Sequence, residues 1–392
     1  MNHSIYLAWN YLRYHWGKTL LLVLAISMVI FIPLALNLFA NRGSERMMSR
    51  AVATPLLAGS KGSATDLTLS SLYFREAGIP PLEFREVKLI EQEGLATAIP
   101  LNLDYKVKNQ PIVGTSNRYF DFRKLAFHAG RPMAVLGECV LGATASEVLG
   151  AGVGDAVISS PAGAFDVAGS FPLKMTVVGV LEPTHTPDDE GVFTDIKTTW
   201  VISGKAHGHD DLTTVTSDSL LLSRSDSIAI ASKAVLSYTE ITSENINSFH
   251  FHGDPDSYPV NAIIAVPKDK KSELMLRGRY ENEGGASQVV VPELVVEELL
   301  ETVVSIKEIL TLAAVSIGLA TLVITLLVFS LSIRLRKKEI QTLRYIGAAK
   351  GRITAVLSLE IVLVFAISLL LTLTYLLVIN LLGIPLLEKI IQ

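Results

Sequence analysis

Three long runs of this chain, residues 19–41, 309–333 and 361–387, contain no charged side chain at all. A hydrocarbon core about 30 Å thick is crossed by about 20 apolar helical residues, so each run is long enough to span a bilayer. The first run is longer than the roughly 7–15-residue apolar core of a secretory signal and no small-residue cleavage site follows it, so it reads as an uncleaved anchor. Pro33 inside it is tolerated where neighbouring helices take up the freed backbone groups. Residues 353–387 are interrupted only by Glu360. At 1.5 Å per residue they make about 52 Å of helix, too short for two spans and a turn. One span is expected there, ending at an interfacial turn near Glu360 and at the Asn380, Gly383, Pro385 cluster.

Lysine and arginine in short loops set orientation. Arg13 and Lys18 precede the first span, and Arg334, Arg336, Lys337, Lys338, Arg344, Lys350 and Arg352 lie between the second and third. Both segments are expected in the cytoplasm. The chain then divides into a cytoplasmic amphipathic segment (1–18), a first span (19–41), an external domain (42–308), a second span (309–333), a cytoplasmic loop (334–352), a third span (353–387) and an external tail (388–392).

The external domain carries 35 acidic against 24 basic side chains. That excess disfavours nucleic acid or anionic lipid headgroups as its partner and serves solubility. Its pattern is mixed. Strands are expected at 175–181, 199–203, 219–222 and 262–267, and helices at 83–92, 143–149 and 226–237. A body of this size suggests an α+β domain of two subdomains. Pro292 then opens a helix in which Val296, Leu299, Val303 and Ile306 recur at spacings of three and four, which predicts a stalk over residues 292–308 running into the second span.

Catalytic signatures are missing. Gly347 to Arg352 has glycines and a lysine but neither the spacing nor the hydroxyl of a phosphate-binding loop, and no zinc-hydrolase or nucleophile-elbow pattern occurs. The chain reads as a non-enzyme. The single cysteine, Cys139, excludes an internal disulfide and a cysteine-based zinc cluster. Histidine alone clusters, as His207-x-His209 and His250-x-His252. In extended backbone each pair offers two imidazoles to one zinc or copper ion. Surface loops are the alternative, and nothing in the spacing brings residue 207 near residue 250.

The loop between the second and third spans reads Arg334-Leu-Arg336-Lys337-Lys338-Glu339-Ile340-Gln-Thr-Leu343-Arg344-Tyr-Ile346-Gly347-Ala348. Ile340, Leu343 and Ile346 form one apolar edge of a short helix that Gly347 can end in the left-handed conformation. Arg336-x-x-Glu339-Ile340-x-x-Leu343-Arg344-x-Ile346-Gly347-Ala348, followed by Ile353 and Glu360, resembles the coupling region of FtsX/MacB-like ABC transporter permeases, also called type VII. The external segments Ile112-Val-Gly114-Thr115, Gly130-Arg131, Glu138-Cys-Val-Leu-Gly142 and Val177-Val-Gly179-Val-Leu181-x-Pro183-Thr184-x-Thr186-Pro187-x-Asp189 are similar to that family's external domain.

The resemblance implies an α-helical membrane protein with a porter-like subdomain, a second subdomain inserted in it, and stalk helices. It implies a homodimer in the bacterial inner membrane joined to two separate ABC ATPase subunits, which would bind ATP and magnesium; this chain itself would hold no cofactor. Arg336, Glu339, Ile340, Leu343, Arg344 and Gly347 are the positions it assigns to ATPase docking. ATP-driven motion would pass through the stalks to the periplasmic domain for export or extraction, with a periplasmic adaptor or substrate-binding protein as a further partner. Regulation of a periplasmic hydrolase and metal-linked transport are the alternatives. The family pattern has a fourth span, whereas the third is the last found here, so a three-span variant or a partner completing the bundle is expected.

Overall fold

The computed structural model describes residues 2–75, 78–160, 172–207, 221–225, 228–231, 239–282 and 285–391. They gather into two units, one formed by Met1–Arg46 with Leu299–Gln392 and the other by Met47–Glu298.

The first unit is built from helices: Asn2–Tyr14, most of Trp16–Val52, most of Pro292–Leu335, Lys337–Tyr345 and Lys350–Ile391. Among the described residues three segments are long and apolar enough to cross a membrane, Trp16–Val52, Glu308–Leu335 and Lys350–Leu381. Leu312, Leu319 and Leu370 are exposed, as side chains that meet acyl chains must be. Small hydroxyl residues line the contact between the first and third of these segments. Ser27, Ser368 and Thr372 are buried, and Thr372 Oγ1 donates to Ser27 O at 3.2 Å. Short side chains let helix backbones approach closely, and in lipid that packing takes the place of a hydrophobic drive. Leu12, Val23, Ile26, Phe329 and Val364 complete a small apolar core.

The last helix corrects an expectation. It runs unbroken from Lys350 to Ile391, through Glu360, Gly383 and Pro385, so most of the residues expected as a tail are helical. Unwinding in an apolar medium would strand backbone N–H and C=O groups, whereas a proline removes one hydrogen bond.

The described residues of the second unit form an eleven-stranded mixed sheet. Its main path runs Thr239–Glu240, Leu173–Leu181, Glu138–Leu141, Val192–Asp195, Gln110–Thr115, Ala96–Val107, Ala262–Pro267, Leu56–Ser60 and Ser287–Val290; Phe127–Gly130 and Ala156–Ile158 also pair with Leu173–Leu181. Apolar cores lie around Leu57, Tyr119 and Phe193, around Leu56, Ile90 and Trp200, and around Leu141, Leu173 and Met175. Cys139 is fully buried within its strand, and burial pushes its thiol well up from the ordinary range.

The external motifs turn out to be folding devices. Arg131 pairs bidentately with Glu138, at 2.8 and 2.5 Å. Asp189 accepts from the Thr184 and His185 amides at 2.8 and 2.7 Å, closing the Pro183-to-Asp189 turn. Gly142 packs so tightly on this turn that an added Cβ would stand 2.3 Å from Asp188 O.

Two local expectations are overturned. Residues 199–203 fall mostly in the helix Ile196–Ile202 rather than a strand, with Asp195 as its N-cap accepting from Lys197 N. Every residue of that helix except Lys197 is buried, so no amphipathic period marks it. Residues 228–231 are a strand paired with Leu221–Ser225 rather than helix; the rest of 226–237 lies outside the described residues. Short apolar runs do not distinguish the two states by period, and pairing decides.

Candidate functional site

The loop between the second and third spans forms the helix Lys337–Tyr345, with Arg336 as its N-cap. Gly347 follows it at φ 94°, a conformation L side chains rarely adopt, and a Cβ there would meet nothing within 4 Å. Glycine is therefore required by backbone conformation alone.

Arg336 does not share the exposure of its basic neighbours. Its side chain is 16% exposed, and Nη1 donates to both carboxylate oxygens of Glu360, at 2.9 and 3.0 Å. Its guanidinium carbon lies 3.4 Å from the centroid of the Tyr11 ring, and Tyr11 Oη stands 3.4 Å from Ser332 Oγ. Lys18 Nζ approaches the Phe329 ring at 6.0 Å. Glu360 thus sets a negative charge beside the N-cap of a helix whose first turn holds Lys337 and Lys338, where the helix dipole disfavours cations. Tyr11 carries no mark in the sequence, and Glu360 is marked there only as a helix end and as the last position of the motif that resembles the coupling region. The available signal was the isolation of Glu360, since one carboxylate in so long an apolar run needs a cationic partner.

The remaining residues of this loop, an elbow between the two spans, point to a surface. Lys337, Lys338 and Arg344 are exposed, Tyr345 and Ile346 are 89% and 77% exposed, and Ile340 is half-buried. Glu339 and Leu343 lie in the helix, their side chains outside the described residues. Of the stalk positions, Val296 is fully buried and Leu299 half-buried. Val303 and Ile306 are helical, and their side chains also fall outside the described residues.

A second charged cluster, which no sequence pattern brings together, lies in the external unit. Arg50 Nη1 and Nη2 donate to Asp188 Oδ2 and Oδ1 at 2.7 and 2.9 Å, and Tyr119 Oη donates to Asp188 Oδ1 at 2.6 Å. All three side chains are buried. Burial alone would raise the Asp188 carboxyl, but the Arg50 hydrogen bonds and charge, with the Tyr119 hydroxyl, hold it below its ordinary value. Burial, then the Asp188 charge, push the Tyr119 phenol up to about 12. Arg50 and Asp188 are 138 positions apart, beyond the reach of any local pattern.

The histidine pairs meet in part. Ala206–His207 and His250–Phe251 form a two-stranded ladder with residue 207 opposite residue 250, which spacing did not suggest. His209 lies outside the described residues. Among the described residues no group of three or more His, Cys, Asp or Glu side chains is assembled to hold a metal ion.

Comparison with known proteins covers both units. The MacB-like periplasmic core domain matches residues 19–235, more than half of the chain, and the FtsX-like permease C-terminal domain matches residues 311–387. No curated protein matches. Among solved structures, the periplasmic region of MacB from Actinobacillus actinomycetemcomitans is 12% identical, with a TM-score of 0.35 over 63% of this chain and 92% of its own. The extracellular domain of the noncanonic ABC-type transporter YknZ from Gram-positive bacteria is 10% identical, with a TM-score of 0.32 over 60% of this chain and 99% of its own. With a periplasmic-core match followed by a permease match, and, among the described residues, three helices long and apolar enough to cross a membrane together with a mixed α/β body, the chain belongs to the FtsX/MacB family of ABC transporter permeases.

Proposed function

We propose that this chain is the non-catalytic membrane subunit of an inner-membrane ABC complex that turns ATP hydrolysis by a separate ATPase into motion of its periplasmic domain, for export or extraction. The observation that carries this reading is the elbow helix Lys337–Tyr345, a short basic segment presenting Tyr345 and Ile346 to solvent while Arg336 ties its root to Glu360. Exposed aromatic and aliphatic side chains rimmed by charge are what a docking surface needs, because a few such anchors carry most of the binding energy. Arg336 supports the surface from behind, with Glu339, Leu343 and Arg344 along the docking helix itself. The helices Trp16–Val52 and Pro292–Leu335 are each continuous, which suits them to carry displacement as rigid elements. Two copies of the chain with two ATPase subunits complete the proposed assembly.

Affinity purification from native membranes tests this. Wild-type protein should bring down an ABC ATPase, and its ATP hydrolysis should respond to the permease. Glu339→Ala with Leu343→Asp, and separately Tyr345→Asp, should abolish that response while the chain still inserts. Recovery of no ATPase with the wild type, or an unchanged response in both variants, would refute the reading.

A further inference from the structure

We propose that a groove between the first and third membrane helices holds one acyl chain of a phospholipid from the external leaflet, with the headgroup phosphate bound by Arg42 and Asn380. The groove is a cavity of about 540 Å³ walled by Leu24, Met28 and Phe31 on the first helix and by Tyr375, Val378 and Ile379 on the third. Spacings of three and four residues put each set on one helix face. The two helices touch where Thr372 donates to Ser27 O, and one turn further out the rings of Phe31 and Tyr375 meet edge to face with centroids 5.5 Å apart. Leu24, Met28 and Val378 are exposed, so the groove opens sideways to the bilayer.

Its dimensions suit a lipid chain. An apolar cavity of about 150 Å³ accommodates one benzene, so this one has room for a chain of about 20 carbons. At 1.5 Å per residue Leu24 and Phe31 lie about 10 Å apart, and Asn380 stands about 8 Å beyond Tyr375. From Leu24 to Asn380 is thus about 18 Å, against about 15 Å for the hydrocarbon of one leaflet. The external unit begins at Met47, which puts Arg42 and Asn380 at the outer mouth of the groove.

A cation waits at that mouth. Arg42 Nη2 donates to Asn380 Oδ1, and among the described residues this neutral amide is its partner. An arginine near a helix end ordinarily snorkels away from the hydrocarbon. Arg42 lies about 16 Å past Phe31 along the first helix yet meets Asn380 only about 8 Å past Tyr375, so its side chain turns back toward the groove. Asn380 keeps both amide N–H groups to donate, and the guanidinium keeps four of its five. Donors of that number and charge, set above an apolar slot one leaflet deep, match a phosphate with its acyl chain, because charge-assisted hydrogen bonds to phosphate are the strong ones.

The test uses the full-length chain in detergent and reads lipid binding by native mass spectrometry. Phosphatidylglycerol should add first as one molecule per chain, about tenfold or more tighter than diacylglycerol of the same chains, which lacks the phosphate. Arg42→Gln should remove that preference, and Met28→Trp, which fills the groove, should weaken both lipids, while Leu322→Trp on the exposed face of the second span changes neither. A benzoylphenylalanine introduced at position 28 and photolysed in native membranes should yield a phospholipid adduct. Equal binding of the two lipids by the wild type, a preference that survives Arg42→Gln, unaltered binding in Met28→Trp, or a cross-link from position 28 to a protein instead of lipid would each overturn the assignment. The wild-type comparison needs no variant to fold. No ATPase enters these measurements, so their failure leaves the coupling reading untouched.

Discussion

Each unit of this protein contains an arginine held by one carboxylate beside a tyrosine, and the two knots are built differently. In the external unit Arg50 engages Asp188 with one nitrogen per oxygen, Tyr119 donates its hydroxyl to the same carboxylate, and the two charged side chains are 7% and 2% exposed. In the membrane unit Arg336 bridges both oxygens of Glu360 through Nη1, Tyr11 offers the face of its ring, and the exposures are 16% and 4%. The first arrangement surrounds a buried carboxylate with donors. The second roots a helix whose far end stays in solvent. The former secures the fold, because removing one partner of a buried pair leaves an uncompensated charge; the latter, on the proposed reading, roots the docking helix.

Substitutions can break this comparison. The largest effect is expected from Asp188→Ala, which leaves the Arg50 charge buried without its carboxylate and should cost the external unit about 3–5 kcal/mol, read by urea unfolding. The same residue fixes the acid limb. Asp188 titrates below its unfolded value of about 3.9, so its contribution is complete above that pH and is lost as pH falls through the lower folded value. Wild-type stability should therefore drop more steeply below about pH 4 than that of the variant. A loss under about 1 kcal/mol, within reach of one ordinary hydrogen bond, would remove the knot from the account of stability.

Glu360→Gln comes next, at about 1.5–3 kcal/mol for a hydrogen bond to a charged group, and it should act elsewhere. Amide exchange in residues 337–345 should quicken while the urea midpoint of the external unit stays in place. Equal response of both regions would erase the distinction. The smallest and sharpest test removes the two hydroxyls. Tyr119→Phe should cost about 1–2 kcal/mol because its hydroxyl donates to a carboxylate, whereas Tyr11→Phe keeps the ring face and should cost under about 0.5 kcal/mol.

What could be read before folding follows from the range of the forces involved. The three spans are legible because lipid demands long runs without charge. The helix Ala143–Leu149 is legible from the glycines that flank it, and the strand Ala262–Pro267 from a short run rich in β-branched residues that ends in proline. The helix Ile196–Ile202 was misread since its near-complete burial erases the period that would identify it. Neither Arg50 nor Asp188 carries a local mark, and only the sheet brings them together. Arg336 shows the limit of reading by resemblance: the motif locates the elbow, but the turn of that arginine toward Glu360 depends on a carboxylate 24 positions away. The approach of residues 207 and 250 likewise belongs to strand pairing.

The burial of Cys139 has a practical side. The only thiol in the native chain is walled in by its strand and held in its unreactive protonated form, so the wild-type sequence is already a clean background for site-directed labelling. A fluorophore or spin probe attached through a cysteine introduced at Tyr345 would be the sole adduct formed, and the elbow could be followed during turnover without first emptying the protein of native sulfur.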